Sequence, residues 1–313
     1  MAGGMKYAIY FHGECDDGIA SAAVLSYILR QRGDSVSTLV PMSFPRTPTI
    51  WKKTRFKKPF AIVDFLYHPD AAIWFDHHPT EFFVTEWKRD FISDDMRMLD
   101  ATRPSCTGFI VAHARTIGSV LPKRFSELAR WLDIFDAARF KSPKEALRLR
   151  YPAEQIHAAL SEDNSESFQR FLVVQLRDRS LAEVARHPRV RKQFLAYKKK
   201  FDRSIAELRT RFVVENGVAF ADVSDRSLVG SRFAAFLFYP RLRYVVRLVR
   251  HARYEISVGS NPWRRPKNGV HIGNLLRERY GGGGHQYVGG AGFPTKAKAL
   301  QAAREIVQYL QRA

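Results

Sequence analysis

The chain has 313 residues, 45% of them hydrophobic, enough for a core in one large domain or two ordinary ones and too apolar for a disordered chain. Two cysteines, Cys15 and Cys106, exclude a disulfide framework, and no run of about 20 apolar residues can span a membrane. Met1–Met5 lacks the charged and apolar regions of a signal peptide, so the cytoplasm is the expected compartment.

In chain order, Lys6–Phe11 is an apolar run too short for a helix and reads as a buried strand. It leads into His12, Glu14, Cys15, Asp16, Asp17 and Gly18, and Ile19–Leu29 then forms a helix that ends near Gly33. Val36–Pro41, Phe60–Asp64 and Ala71–Phe75 are further strands, and this alternation predicts a parallel sheet covered by helices. Helices dominate from about residue 104. Ser126 is a candidate cap for Glu127–Asp136, and Ser142, Pro143 and Glu145 combine a cap, a first-turn proline and a capping-box acid.

Val190, Phe194, Tyr197, Phe201, Ile205, Leu208 and Phe212 recur at spacings of three and four, the apolar stripe of one long helix. Its other face carries Arg186, Arg189, Arg191, Lys192, Lys198, Lys199, Lys200 and Arg203, and Arg264, Arg265 and Lys267 form a second basic group. With a formal net charge of +20, such clusters favour a polyanionic partner, nucleic acid or polyphosphate, over charge kept for solubility alone. Asn216-Gly217 then marks a hairpin, Tyr244–Val249 and Tyr254–Val258 read as strands, and Thr295 caps a closing helix with Leu300, Ala303, Val307 and Leu310 on its apolar face. The expected division is a first domain at 1–187, a connecting helix at 188–212 and a second, smaller α/β domain at 213–313.

The chemistry gathers at strand ends. Asp76, His77 and His78 follow Ala71–Phe75, Asp64 follows Ala61–Val63, and His12, Asp16 and Asp17 follow the first strand. In a parallel sheet these ends converge, and ligands of open α/β sheets bind beyond the carboxyl ends of the strands. Carboxylates with imidazoles suit Mn²⁺, Mg²⁺ or Zn²⁺. Taken singly, Asp16 or Asp17 fits a helix cap or solvated turn equally well, and Cys15 fits a buried filler. Asp64 at the edge of the core is harder to place without a partner. Adjacent His77 and His78 point in different directions, so one can ligate metal while the other faces substrate. Gly281–Gly292 is rich in glycine and holds His285; its backbone N–H groups are suited to converge on an anion.

These motifs, in this order and over nearly the whole chain, resemble the DHH phosphoesterase superfamily with its DHH-associated C-terminal domain. Asp76-His77-His78 matches the triplet that names the family. His12–Gly18 with Ala20, Ser21 and Ala22 resembles the first motif, Asp64 the second, Asp136 to Phe140 the fourth, and Gly283, Gly284 and His285 through Gly292 the signature of the C-terminal domain. The resemblance implies an N-terminal parallel-sheet domain, a long connecting helix and a smaller C-terminal α/β domain. It also implies two Mn²⁺ ions, with Mg²⁺ or Co²⁺ as substitutes. His12, Asp16 and Asp64 would hold one ion, and Asp17, Asp64, His77 and Asp136 the other, with Asp64 between them. His78 would face the scissile phosphate, while Gly283, Gly284 and His285 would bind the rest of the substrate. The family's first motif has two aspartates one residue apart. Here they are adjacent, with Cys15 two before Asp17, which leaves open which of Cys15, Asp16 and Asp17 touches metal. Asp133 competes with Asp136, whose following residues fit better.

The implied activity is hydrolysis of phosphodiester bonds in short nucleic acids, of the oligoribonucleotide or single-strand exonuclease type, by a two-metal activated water. The alternatives are an exopolyphosphatase, a small-nucleotide phosphatase or a cyclic-dinucleotide phosphodiesterase, and, from another class, a catalytically silent nucleic-acid-binding protein.

Overall fold

A computed structural model describes residues 4–44, 47–225, 228–250, 253–266, 269–284 and 286–313. The chain forms two compact units, one of residues up to 139 with 149–197, the other of residues 140–148 with 198–313.

In the first unit β1 (Lys6–His12), β2 (Ser35–Met42), β3 (Phe60–Val63), β4 (Ile73–Asp76) and β5 (Arg97–Leu99) pair in the order β2-β1-β3-β4-β5, every pairing parallel. Between and after them run α1 (Asp16–Gln31), α2 (Pro48–Lys53), α3 (Thr85–Arg89), α4 (Cys106–His113) and α5 (Lys123–Asp136). α6 (Pro143–Ala146) falls in the other unit; α7 (Pro152–Glu162), α8 (Glu166–Asp178) and α9 (Leu181–Arg186) return to the first, and α10 (Pro188–Arg211) runs from the first unit into the second.

Every residue of β3 and β4 is buried because both sheet faces are covered, which is why these strands read as apolar runs without alternation. Ile9, Phe11, Val63 and Phe75 join one core with Ala22, Ala23 and Val24 of α1, while Tyr10, Phe60, Ile62 and Trp74 join another with Trp51 of α2. Full burial of each large side chain contributes roughly 1.5–3 kcal/mol. A Cβ on Gly18 would lie 2.2 Å from the His12 carbonyl oxygen, so glycine lets α1 start hard against the end of β1.

Ser126 is not the cap of α5. That helix begins at Lys123 with no side-chain cap, one turn earlier than expected, and the extra turn buries Phe125 completely. Ser142 does cap α6, accepting from the Glu145 N–H at 3.1 Å, but the helix is a single turn. Phe140–Arg148 also departs from the expected boundaries. The Trp263 indole donates to the Phe140 carbonyl at 2.7 Å and Phe140 stacks edge-on with Phe233, so this segment packs with the second unit.

The second unit holds β6 (Val213–Glu215), β7 (Val218–Asp222), β8 (Tyr244–Arg250), β9 (Tyr254–Ser260), β10 (Gly283–Gly284) and β11 (Val288–Phe293), in the order β10-β11-β9-β8-β7-β6. Only the β7–β8 pairing is parallel. α11 (Ser231–Phe238), α12 (Ile272–Tyr280) and α13 (Lys296–Arg312) complete it. Val246, Leu248, Ile256 and Val258 pack with Leu276 of α12 and Ala303 and Ile306 of α13. Leu208 of α10 joins Ala219, Val245 and Phe236 of α11 in a separate cluster. Asn216 and Gly217, at φ 46° and 80°, make the β6–β7 turn.

Gly283 and Gly284 pair antiparallel with Gly290 and Gly289 as an edge hairpin. A Cβ on Gly289 would stand 2.4 Å from the Gly283 carbonyl oxygen, so close strand contact accounts for glycine there. His285 lies outside the described residues. Among those described, no helix is long and apolar enough to cross a membrane.

Candidate metal centre

Parallel pairing sets the ends of β1, β3 and β4 side by side, and the residues that follow them meet. Three overlapping donor sets form: His12, Cys15 and Asp64; Asp64, His77 and His78; and Asp17, His77 and Asp136. Within each set the donor atoms lie within 4.8 Å of one another. Asp64, expected as the shared ligand, belongs to two of them, and its carboxylate sits 3.8 Å from both the His12 and His77 rings and 3.7 Å from that of His78.

Local structure fixes each group. Asp64 leaves β3 in the left-handed region, at φ 53°, a conformation that costs a non-glycine residue of order 1 kcal/mol and often marks a functional site. Asp17 is almost fully buried; its two oxygens accept the Cys106 and Thr107 N–H groups at 2.6 and 2.9 Å, the amides that open α4. Ser105 caps that helix through Gly108 N–H and donates to Asp133 at 2.6 Å. This engages Asp133 elsewhere, whereas Asp136 stands 3.3 Å from the His77 Nε2.

Asp16 does not join the cluster. Residues 16 and 17 open α1, and neighbours on a helix point about 100° apart. Asp17 faces the strand ends, and Asp16 turns to α7, where His157 lies 2.5 Å from its carboxylate. Cys15 occupies the place expected of Asp16. Its sulfur caps α1, accepting the Gly18 N–H at 3.2 Å, and its thiol donates to Asp64 at 3.1 Å.

Asp76, given no separate role by sequence, proves to be the organiser of the triplet. It is wholly buried, and one of its oxygens accepts the His77 N–H at 2.6 Å, the His78 N–H at 2.7 Å and the His78 Nδ1–H at 3.0 Å. A short acid directly before two histidines was the available signal, since such a side chain reaches the next two backbone amides.

Do these residues fit cations? The His77 Nδ1 faces the Arg103 carbonyl at 3.2 Å and so carries the ring proton, leaving a lone pair on Nε2. That Nε2 is buried without a hydrogen-bond partner, as are one oxygen of Asp64 and one of Asp76. A lone pair facing the carboxylates of Asp17, Asp64 and Asp136 at 3.3–3.8 Å is repulsive until a cation lies among them. The electrostatics agree. Burial, then the charges of Asp17, Asp76 and Asp136, push the Asp64 carboxyl well above its ordinary range. Burial and the charge of Asp76 raise nearby Glu81 to about 8. Burial lowers His12. For His78 burial also pulls downward, but the Asp76 hydrogen bond and charge outweigh it and lift the ring to about 9. Burial and the Asp64 charge raise the Cys15 thiol. The set fits divalent cations, with the carbonyl-to-histidine hydrogen bond behind His77 that orients a metal ligand.

No protein-family model matches the chain, and no curated protein matches it. Solved structures do. A pGpG-specific phosphodiesterase, PggH, from Vibrio cholerae superposes with a TM-score of 0.71 at 18% identity, over 98% of this chain and 99% of that one. Exonuclease RecJ bound to manganese gives 0.58 at 15%, over 99% and 91%. An exopolyphosphatase-related protein from Bacteroides fragilis gives 0.52 at 12%, over 99% and 93%. The chain shares the fold of these structures, a parallel sheet covered by helices followed by a second, mixed sheet.

Proposed function

We propose that the protein is a divalent-metal-dependent phosphodiesterase acting on short nucleic acids. The observation that carries this reading is the orphaned Nε2 of His77, which faces the carboxylates of Asp17, Asp64 and Asp136 beyond the parallel strands. His12 and Asp64 would hold one cation; Asp17, His77 and Asp136, with Asp64 shared, would hold the other. Bound there, such ions would supply acidification of an attacking water and offset charge on the phosphate. The chain's own groups do the rest. Asp76 holds His78 in one orientation with its Nδ1 proton engaged, so its ring presents positive charge to a phosphate oxygen. The Arg103 carbonyl fixes the His77 tautomer. The amides of Cys106 and Thr107 hold Asp17 in place.

Phe44 favours a nucleotide over inorganic polyphosphate. Its ring is 53% exposed, 5.1 Å from the His12 ring and 4.8 Å from Phe65, and suits stacking on a base. The similar structures of a pGpG-specific phosphodiesterase and an exonuclease support the same class. The test is a panel of a labelled RNA dinucleotide, a longer single strand and tripolyphosphate, each with Mn²⁺, Mg²⁺ or chelator. Metal-dependent release of mononucleotides is expected. Cleavage of tripolyphosphate alone would replace the substrate, and tight nucleic-acid binding with no turnover under any metal would make the protein a silent binder.

A further inference from the structure

Two of the three donor sets differ in chemistry. Asp17, His77 and Asp136 offer oxygen and nitrogen, whereas His12, Cys15 and Asp64 offer nitrogen, sulfur and oxygen. The sulfur is not incidental filler. Cys15 is part-exposed, caps the start of α1, and points at Asp64, whose side chain is 1% exposed with one oxygen unpartnered. The chain's other cysteine, Cys106, is fully buried and donates to the Phe75 carbonyl at 3.2 Å. Meanwhile the carboxylate next to Cys15, Asp16, is turned away to His157.

We propose that Cys15 is a ligand of the first ion and makes this an unequal pair of sites: a sulfur-containing site that selects a thiophilic, borderline ion such as Zn²⁺, Co²⁺ or Fe²⁺, beside an oxygen-rich site that accepts Mn²⁺ or Mg²⁺. This rests on the metal-centre reading above. The physical ground is that thiolate binds borderline ions far better than it binds Mg²⁺ or Mn²⁺, whose preferred donors are carboxylate and water. Four buried or half-buried carboxylates would suit two hard ions alike; a thiol in the place of one breaks that equivalence.

Metal-free full-length protein is titrated with Co²⁺ under anaerobic conditions in a buffer free of thiols. A near-ultraviolet sulfur-to-cobalt charge-transfer band should grow with the first equivalent, and visible cobalt bands should continue to grow as the second site fills. In Cys15→Ser the charge-transfer band should vanish while cobalt still binds. Serine is itself a good helix cap, so α1 keeps its start. Cys15→Asp should lower the preference for Zn²⁺ over Mn²⁺, measured by competition, at least roughly tenfold, the lower end of what loss of even an outer-shell partner costs. Cobalt bound by the wild type without the charge-transfer band, or a band that survives Cys15→Ser, overturns the proposal and leaves the metal centre standing. No cobalt bound by equilibrium dialysis overturns both.

Discussion

Asp64 concentrates the site's cost in one residue. It is buried, carries an unpartnered oxygen, faces other carboxylates and holds a left-handed backbone. Without metal each of these opposes folding. Asparagine tolerates the same backbone and removes the charge. Metal-free Asp64→Asn should therefore be more stable than the metal-free wild type by about 1–3 kcal/mol, the scale of an unsatisfied buried polar group, while losing metal-dependent turnover. Chemical denaturation with chelator present, set beside the activity assay, checks both. The pH dependence follows from the same crowding. Asp64, Glu81 and His78 all have folded-state pKa values above their ordinary ones, Glu81 near 8 and His78 near 9. A raised group contributes its full stability below its unfolded value and loses it as pH rises through its folded value. Metal-free protein should thus lose stability between about pH 4.5 and 9, and the rise in melting temperature on adding Mn²⁺ should be larger at pH 8.5 than at pH 6. An equal rise at both would contradict the cluster's electrostatics.

At the scale of elements, α4 serves the site without supplying a ligand. Its first amides hold Asp17, and Ser105 caps it while tying it to Asp133 of α5. Ser105→Ala should cost about 1 kcal/mol and weaken metal binding as well, because Asp17 loses a fixed seat; denaturation and cobalt affinity measure the two effects. Sequence made the strands legible because β1, β3 and β4 are apolar on both faces, and it placed His12, Asp17, Asp64, His77 and His78 where parallel strands would gather them, whereas Asp136, at the end of α5, came from the family resemblance alone. It did not separate Asp16 from Cys15 and Asp17, since one helical step decides which side chain faces the strands. Nor did it find Phe140–Arg148 in the second unit, whose contacts lie more than 90 residues away along the chain in Phe233 and Trp263. Nor did composition show that Gly283 and Gly284 pair with Gly290 and Gly289, since it reports backbone freedom and not which partner strand uses it.

For the molecule as a whole, charge is the dominant long-range property. The formal excess of +20 includes a row on α10 in which Arg191, Lys192, Lys198, Lys199 and Arg203 are exposed, opposite a stripe where Val190, Tyr197 and Leu208 are buried. If longer strands lie along this row, Lys192→Glu with Lys199→Glu should raise KM for an oligonucleotide and flatten its dependence on log salt by about 1.4, roughly 0.7 for each lost phosphate contact, while dinucleotide turnover stays as it was. An unchanged slope would remove α10 from the substrate path. Asp17 has a separate consequence. The same carboxylate that faces His77 also receives the Cys106 and Thr107 amide protons. Those two protons are a built-in gauge of occupancy: deuterium should replace them more slowly as ions fill the centre, so loading can be followed in a protein whose substrate has yet to be supplied.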